Sequence, residues 1–94
     1  MTQATRLAFE GAQPNPAWND VNLVMVLDHA VPVRITVYDL AGHEVARPVA
    51  NEWLAGRVAR TWRPRGLPSG VYWVSAKLGD REYVRKVVWL GSLP

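Results

Sequence analysis

The sequence predicts an all-β protein, an antiparallel β-sandwich of about seven short strands, on three observations. Short β-branched and aromatic runs recur from Leu23 onward; Gly, Pro and Asp interrupt them at roughly 8- to 12-residue spacing; and no stretch sustains a helical period. Without helices to supply parallel crossovers, the strands are expected to run antiparallel.

Residues 6–10 read as a short first strand, and 11–16 as a rigid connector in which Pro14 and Pro16 hold Asn15 extended. Residues 21–27 place Leu23, Met25 and Leu27 on one face and Asn22, Val24 and Val26 on the other, so both faces carry apolar groups. Residues 31–39 alternate more sharply, with Val33, Ile35 and Val37 set against Arg34, Thr36 and Tyr38, the pattern of a strand with one buried face. Asp39-Leu40-Ala41-Gly42 has the Asp and Gly of a type I turn, after which 43–49 is expected to run back.

Residues 51–56 read as a loop, 57–62 as a strand, and Arg63-Pro64-Arg65-Gly66 as the break after it. Leu67-Pro68-Ser69-Gly70 is a second type I turn signal. Residues 71–78 and 81–90 form a hairpin through Gly79-Asp80, with Gly first in the two-residue loop as a type II′ turn requires. That register sets Lys77 opposite Glu82 and Trp73 opposite Lys86, pairs contributing from a few tenths to about 1 kcal/mol each. Which face of the last strand is buried stays open: Val84, Val88 and Leu90 share one, Tyr83, Val87 and Trp89 the other. Together the elements predict an immunoglobulin-like architecture, without the paired cysteines of antibody domains.

The 94 residues form one expected domain, 1–94, with 1–13 as a leading strand and connector and 14–90 as its body. A chain of this size buries roughly 60 to 65 per cent of its unfolded surface, enough for one modest core. Net charge is +3, yet the eleven Lys and Arg form no basic run, which argues against a nucleic-acid partner. The absence of cysteine excludes a disulfide framework and a thiolate metal site, and no apolar run approaches the roughly 20 residues of a membrane span.

The residues offer no catalytic, metal or cofactor site. His29 and His43 lie near turns and belong to no spacing that supplies three metal ligands. The eight acids fall mostly at turns or strand ends, and Ser69, between Pro68 and Gly70, is explained by turn chemistry rather than by a nucleophile elbow. No glycine-rich loop leads into a helix, so no nucleotide is expected. The five tryptophans are the compositional anomaly. Trp62 reads as core, while Trp18, Trp53 and Trp73 serve equally well as packing groups or as platforms for a polysaccharide.

Pro14-Asn15-Pro16, the run from Val33 through Asp39-Leu40-Ala41-Gly42 to Val45, Trp62, Leu67-Pro68-Ser69-Gly70-Val71-Tyr72, and Arg85-Lys86-Val87-Val88 occur in one order and spacing. The set resembles the type IX secretion system C-terminal sorting domain (type A) and the similar immunoglobulin-like domain of the flagellar hook-capping protein, over about residues 7–90. The resemblance implies a non-catalytic domain at the C-terminus of a larger secreted cargo protein. Secretion-system proteins at the outer membrane would read it, and the product would be at the cell surface or extracellular. Carried over by position, the recognition motif is Gly42, Leu67, Pro68, Ser69, Gly70, Tyr72 and Lys86. The glycines and Pro68 also have turn roles of their own, and Lys86, near the end of the last strand, is the group that folding does not require. Two further readings are a carbohydrate-binding accessory module of a secreted glycoside hydrolase, stacking sugars on Trp18, Trp53 or Trp73, and a structural or assembly domain that adds a partner strand at a free sheet edge. The segment Gly91-Ser92-Leu93-Pro94 follows where the family usually ends in a short apolar tail.

Overall fold

A computed structural model describes residues 6–64 and 66–91. Five antiparallel strands form one curled sheet: β1 (Leu7–Gln13), β2 (Val21–Tyr38), β3 (Glu44–Trp62), β4 (Gly70–Leu78) and β5 (Arg81–Trp89). There is no helix among the described residues.

The expected all-β antiparallel class is found, with five strands in place of about seven. Segments 21–27 and 31–39 are one strand, β2, and segments 43–49 and 57–62 are joined through the expected loop 51–56 into β3. The loop composition of 51–56 is overridden by pairing, because Val31, Pro32 and Val33 of β2 sit opposite Leu54, Trp53 and Glu52. Register shifts beside this region, and Gly56 at φ 84°, absorb the mismatch as irregularities within a continuous ladder. The first strand is also longer than 6–10: a bulge between Phe9 and Gly11, with Gly11 at φ 124°, lets β1 continue to Gln13. Of the expected leading segment 1–13, residues 1–5 lie outside the described residues, as do Arg65 in the break before the second turn and 92–94 of the tail.

β2 holds the sheet together. One edge pairs with β3 from Val21 opposite Trp62 to Tyr38 opposite Glu44. The other edge is shared: β1 pairs with its first half, Leu7 opposite Leu27, and β4 with its second, Val37 opposite Val74. Eight alternate β2 residues, Val21, Leu23, Met25, Leu27, Val31, Val33, Ile35 and Val37, are all buried. Burying each such side chain is worth about 1.5–3 kcal/mol.

The curl follows from one aromatic contact. Trp62 lies opposite Val21 at the start of β2, whereas Tyr72 neighbours Trp73, which lies opposite Tyr38 at its end. The Trp62 and Tyr72 rings nevertheless meet edge to face at 6.2 Å and 73°. The sheet therefore folds over its own core until the ends of β2 face one another, and β1 packs against β4 and β5. Val87 and Trp89 point into that core and Val84 is exposed, which settles the two faces of β5. β3 stays an edge strand with Val49 and Trp62 buried, and Pro48 and Gly56 interrupt it in the manner of edges protected against further pairing.

Two turns match their expected chemistry. Gly42 N donates to Asp39 O at 3.0 Å and His43 N donates to Asp39 Oδ1 at 2.9 Å, with Gly42 at φ 87°. Gly79, at φ 60°, precedes an Asp80 with ordinary negative φ, as a type II′ loop requires. Lys77 faces Glu82 and Trp73 faces Lys86 as expected. The contacts differ from those the register suggested: Glu82 accepts from Ser75 Oγ at 3.0 Å, and the cation over a ring is Arg85 on Tyr83, 5.7 Å from the centroid.

Ile35→Ala, at the centre of the buried run, is expected to lower unfolding stability by about 2–5 kcal/mol in urea titration. Arg57→Ala on exposed β3 should cost under about 1 kcal/mol. The His43 amide, followed by the charge on His43, holds the Asp39 carboxyl below its ordinary value of 3.8. A depressed folded-state pKa contributes stability above the unfolded value that is lost as pH falls through the folded one. Stability is therefore expected to decline below about pH 3.8, and Asp39→Asn should flatten that limb in acid titrations. Asp28, held low by His29 and then by the Arg6 amide, contributes in the same direction.

Candidate functional site

The second turn, Leu67-Pro68-Ser69-Gly70, packs against the C-terminal end of β5. Pro68 has no N–H to donate, and the carbonyls around it need donors once buried. Two aromatic side chains supply them. Trp89 Nε1 donates to Leu67 O at 3.1 Å, and Tyr72 Oη donates to Pro68 O at 2.6 Å. Both rings are buried, and Trp62 packs on Tyr72. Burial, and secondarily the Asp39 carboxylate, pushes the Tyr72 phenol up, which keeps it a hydrogen donor. The backbone bond closing a turn in this stretch runs from Leu67 N to Pro64 O at 3.2 Å, with Gly66 at φ 85°, upstream of the expected four residues. The carbonyl of Leu67, which would close the later turn, is given to Trp89 instead.

The connector before β2 is a strap over the outer edge of β5. Asn15 Nδ2 donates to Lys86 O at 2.9 Å, and Val88 N donates to Asn15 Oδ1 at 2.9 Å, so one side-chain amide does the work of a backbone unit. Ala17 N then donates to Val88 O, and Leu90 N to Ala17 O, both at 2.8 Å. Ala17 is fully buried beneath this bridge. Sequence reasoning anticipated the stiffness of Pro14-Asn15-Pro16 and missed its target. The available signal was an amide side chain between two residues without N–H groups.

Between strap and turn lies a cavity of about 660 Å³, walled by Trp18, Asp20, Leu67, Pro68, Trp89 and Gly91. Asp20 is tied to Arg63 Nε at 3.3 Å. A Cβ on residue 91 would overlap the Trp89 indole, so glycine is the residue that fits there.

The structure thus brings Leu67, Pro68, Ser69, Gly70 and Tyr72 together with the end of β5, Gly70 lying directly opposite Trp89. Gly42 lies apart from them, in the exposed turn between β2 and β3. Lys86 lies on the outer face of β5: its backbone is fixed by Asn15, and its ammonium has no ion-pair partner among the described residues. The three tryptophans considered for sugar stacking are exposed, at 57% for Trp18, 72% for Trp53 and 40% for Trp73. They do not share a platform: Trp18 lines the cavity beside Trp89, Trp53 a separate one beside His29 and Arg81, and Trp73 lies on the outer face of β4.

Residues 12–89 match a protein-family model described as a secretion system C-terminal sorting domain. Comparisons with curated proteins and with solved structures give no match. The matched span includes the strap, both turns and the whole of β5.

Tyr72→Phe is expected to leave Pro68 O without its donor and to lower stability by about 1–3 kcal/mol, measured by thermal unfolding. For Asn15→Ala, the Val88 amide is expected to exchange with solvent at least about tenfold faster, an opening free energy lower by about 1.4 kcal/mol or more, while amides at the middle of β2 stay unchanged.

Proposed function

Because the chain belongs to the type IX secretion system C-terminal sorting domain family, we propose that it is the non-catalytic sorting and cell-surface attachment domain of a larger secreted bacterial protein. Membership implies export through the outer membrane and handling by the secretion machinery. The carrying observation is the extent of the match, residues 12–89, over one folded unit rather than over a single turn.

Within that role the motif residues divide by physical duty. Leu67, Pro68, Gly70 and Tyr72, with Ser69 between them, build the turn that clamps Trp89, and Gly42 supplies the left-handed position of the first turn. Their proposed contribution to export is to hold β5 in place. Lys86 is the proposed recognition group, a cation with no ion-pair partner among the described residues, on a strand paired with β4 on one edge and held by Asn15 at this point of the other. The architecture is read as immunoglobulin-like on the support of Tyr72, whose hydroxyl reaches back to Pro68 O as in the tyrosine corner of such sandwiches.

The test is export of a reporter carrying residues 1–94 at its C-terminus, in a host with an intact type IX system and in one lacking it. Surface labelling confined to the intact host is expected; equal labelling in both would sink the proposal. Lys86→Ala should lower surface labelling at least about tenfold while leaving stability within about 0.5 kcal/mol, as for an exposed substitution.

A further inference from the structure

The cations of β3 are paired, whereas those on the outer face of β2, β4 and β5 are not, among the described residues. Along β3 and just beyond it, Arg47 pairs with Glu44 at 2.9 Å, Arg57 with Glu10 at 2.8 Å, Arg60 with Glu52 at 3.2 Å and Arg63 with Asp20 at 3.3 Å. On the face of β2, β4 and β5 turned away from the core, the registers set Arg34, Lys77 and Glu82 in one row and Tyr38, Trp73 and Lys86 in another. None of the three cations in these rows has an ion-pair partner among the described residues. Glu82, directly opposite Lys77, turns to Ser75 Oγ instead.

Arg34 directly opposite Lys77 is a like-charge cross-strand pair, which works against the fold. The pair borders a depression of about 300 Å³ also lined by Pro32 and Asn51, so two cationic donors and an amide converge on a space that fits an anionic group. Four residues further along β5, about 13 Å at strand rise, Lys86 stands beside Trp73, 40% exposed. Val84, in the row between, is 51% exposed. The face is therefore cationic at two separated points, with Thr36, Ser75 and the exposed Val84 in the row between them.

We infer that this outer face of β2, β4 and β5 docks an acidic protein surface, with one carboxylate seated between Arg34 and Lys77, a second at Lys86, and an apolar side chain against Trp73 and Val84. The inference rests on the sorting reading above and names the face by which a partner holds the domain. A lipid surface fits less well, because membrane-binding basic clusters use four to eight charges beside an inserted anchor, and three cations spread over a rigid sheet supply neither. Complementary charge of this kind sets partner choice and association rate more than raw affinity.

Two measurements test it. In the reporter fusion, Arg34→Glu/Lys77→Glu/Lys86→Glu is compared with Arg81→Glu/Arg85→Glu, whose positions lie opposite Leu78 and Val74 on the other face. Circular dichroism checks that each variant is folded, and Arg34→Gln/Lys77→Gln/Lys86→Gln serves as the charge-neutral form. Surface labelling is expected to fall at least tenfold in the outer-face reversal, less in the neutral form, and by under twofold in the control. Equal losses in both reversals, or none in either, would overturn the inference while leaving the sorting reading standing. Separately, the purified chain is titrated with a soluble peptide of alternating Glu and Phe. Amide shifts confined to the neighbourhoods of residues 34, 77 and 86 support the face even if the wild-type fusion stays in the periplasm and the sorting reading fails. Absence of shifts there, together with charge-dependent binding to phosphatidylglycerol vesicles, would assign the face to a membrane and overturn the inference.

Discussion

Every layer of this small protein depends on β2 serving two halves of the sheet at once. One of its edges pairs with β3 from Val21 to Tyr38, with register shifts on the way, and its other edge is divided between β1 and β4. Because the buried apolar side chains keep one parity from Val21 to Val37, both halves turn the same face inward, and a single core is closed by curling the sheet. The Trp62 and Tyr72 contact is where that curl closes, joining residues of β3 and β4 that lie beside opposite ends of β2. A chain of 94 residues without disulfides has no second source of stability of comparable size.

The second turn and the last strand build on that closure. Tyr72 reaches Pro68 O and Trp89 reaches Leu67 O because the curled core holds both rings beneath the turn. The Asn15 strap then covers the C-terminal half of β5's outer edge, where unpaired backbone groups would otherwise invite another chain. Leu67, Pro68, Tyr72 and Trp89 are thereby occupied in fixing one strand. Arg34, Lys77 and Lys86 on the outer face keep no ion-pair partner among the described residues, and neither do Arg81 and Arg85 on the other face of β5.

Much of this was legible in the sequence because it is local. The alternation from Val33 to Val37, the Asp39 to Gly42 turn and the Gly79-Asp80 hairpin with its register each follow from a few neighbouring residues. The strand count was not, since 51–56 lacks strand composition and is strand only by virtue of the β2 residues beside it. The bulge at Gly11 hid the end of β1 in the same way, by shifting the inward parity from Phe9 to Ala12. Of the site, the stiffness of Pro14-Asn15-Pro16 was readable, but the Asn15 clamp joins residues 71 and 73 positions apart, and no local pattern reports that. The exposure of Trp18, Trp53 and Trp73, against burial of Trp62 and Trp89, likewise required the fold.

The central claim is that β2 is one cooperative strand around which a single core closes, and native-state amide hydrogen exchange along it is the most direct test. The account predicts that the amides of residues 23–27 and 33–37 open with one shared free energy, equal to that of global unfolding. Opening of the β1-paired half at markedly lower free energy than the β4-paired half would contradict it and divide the sheet into two independent units.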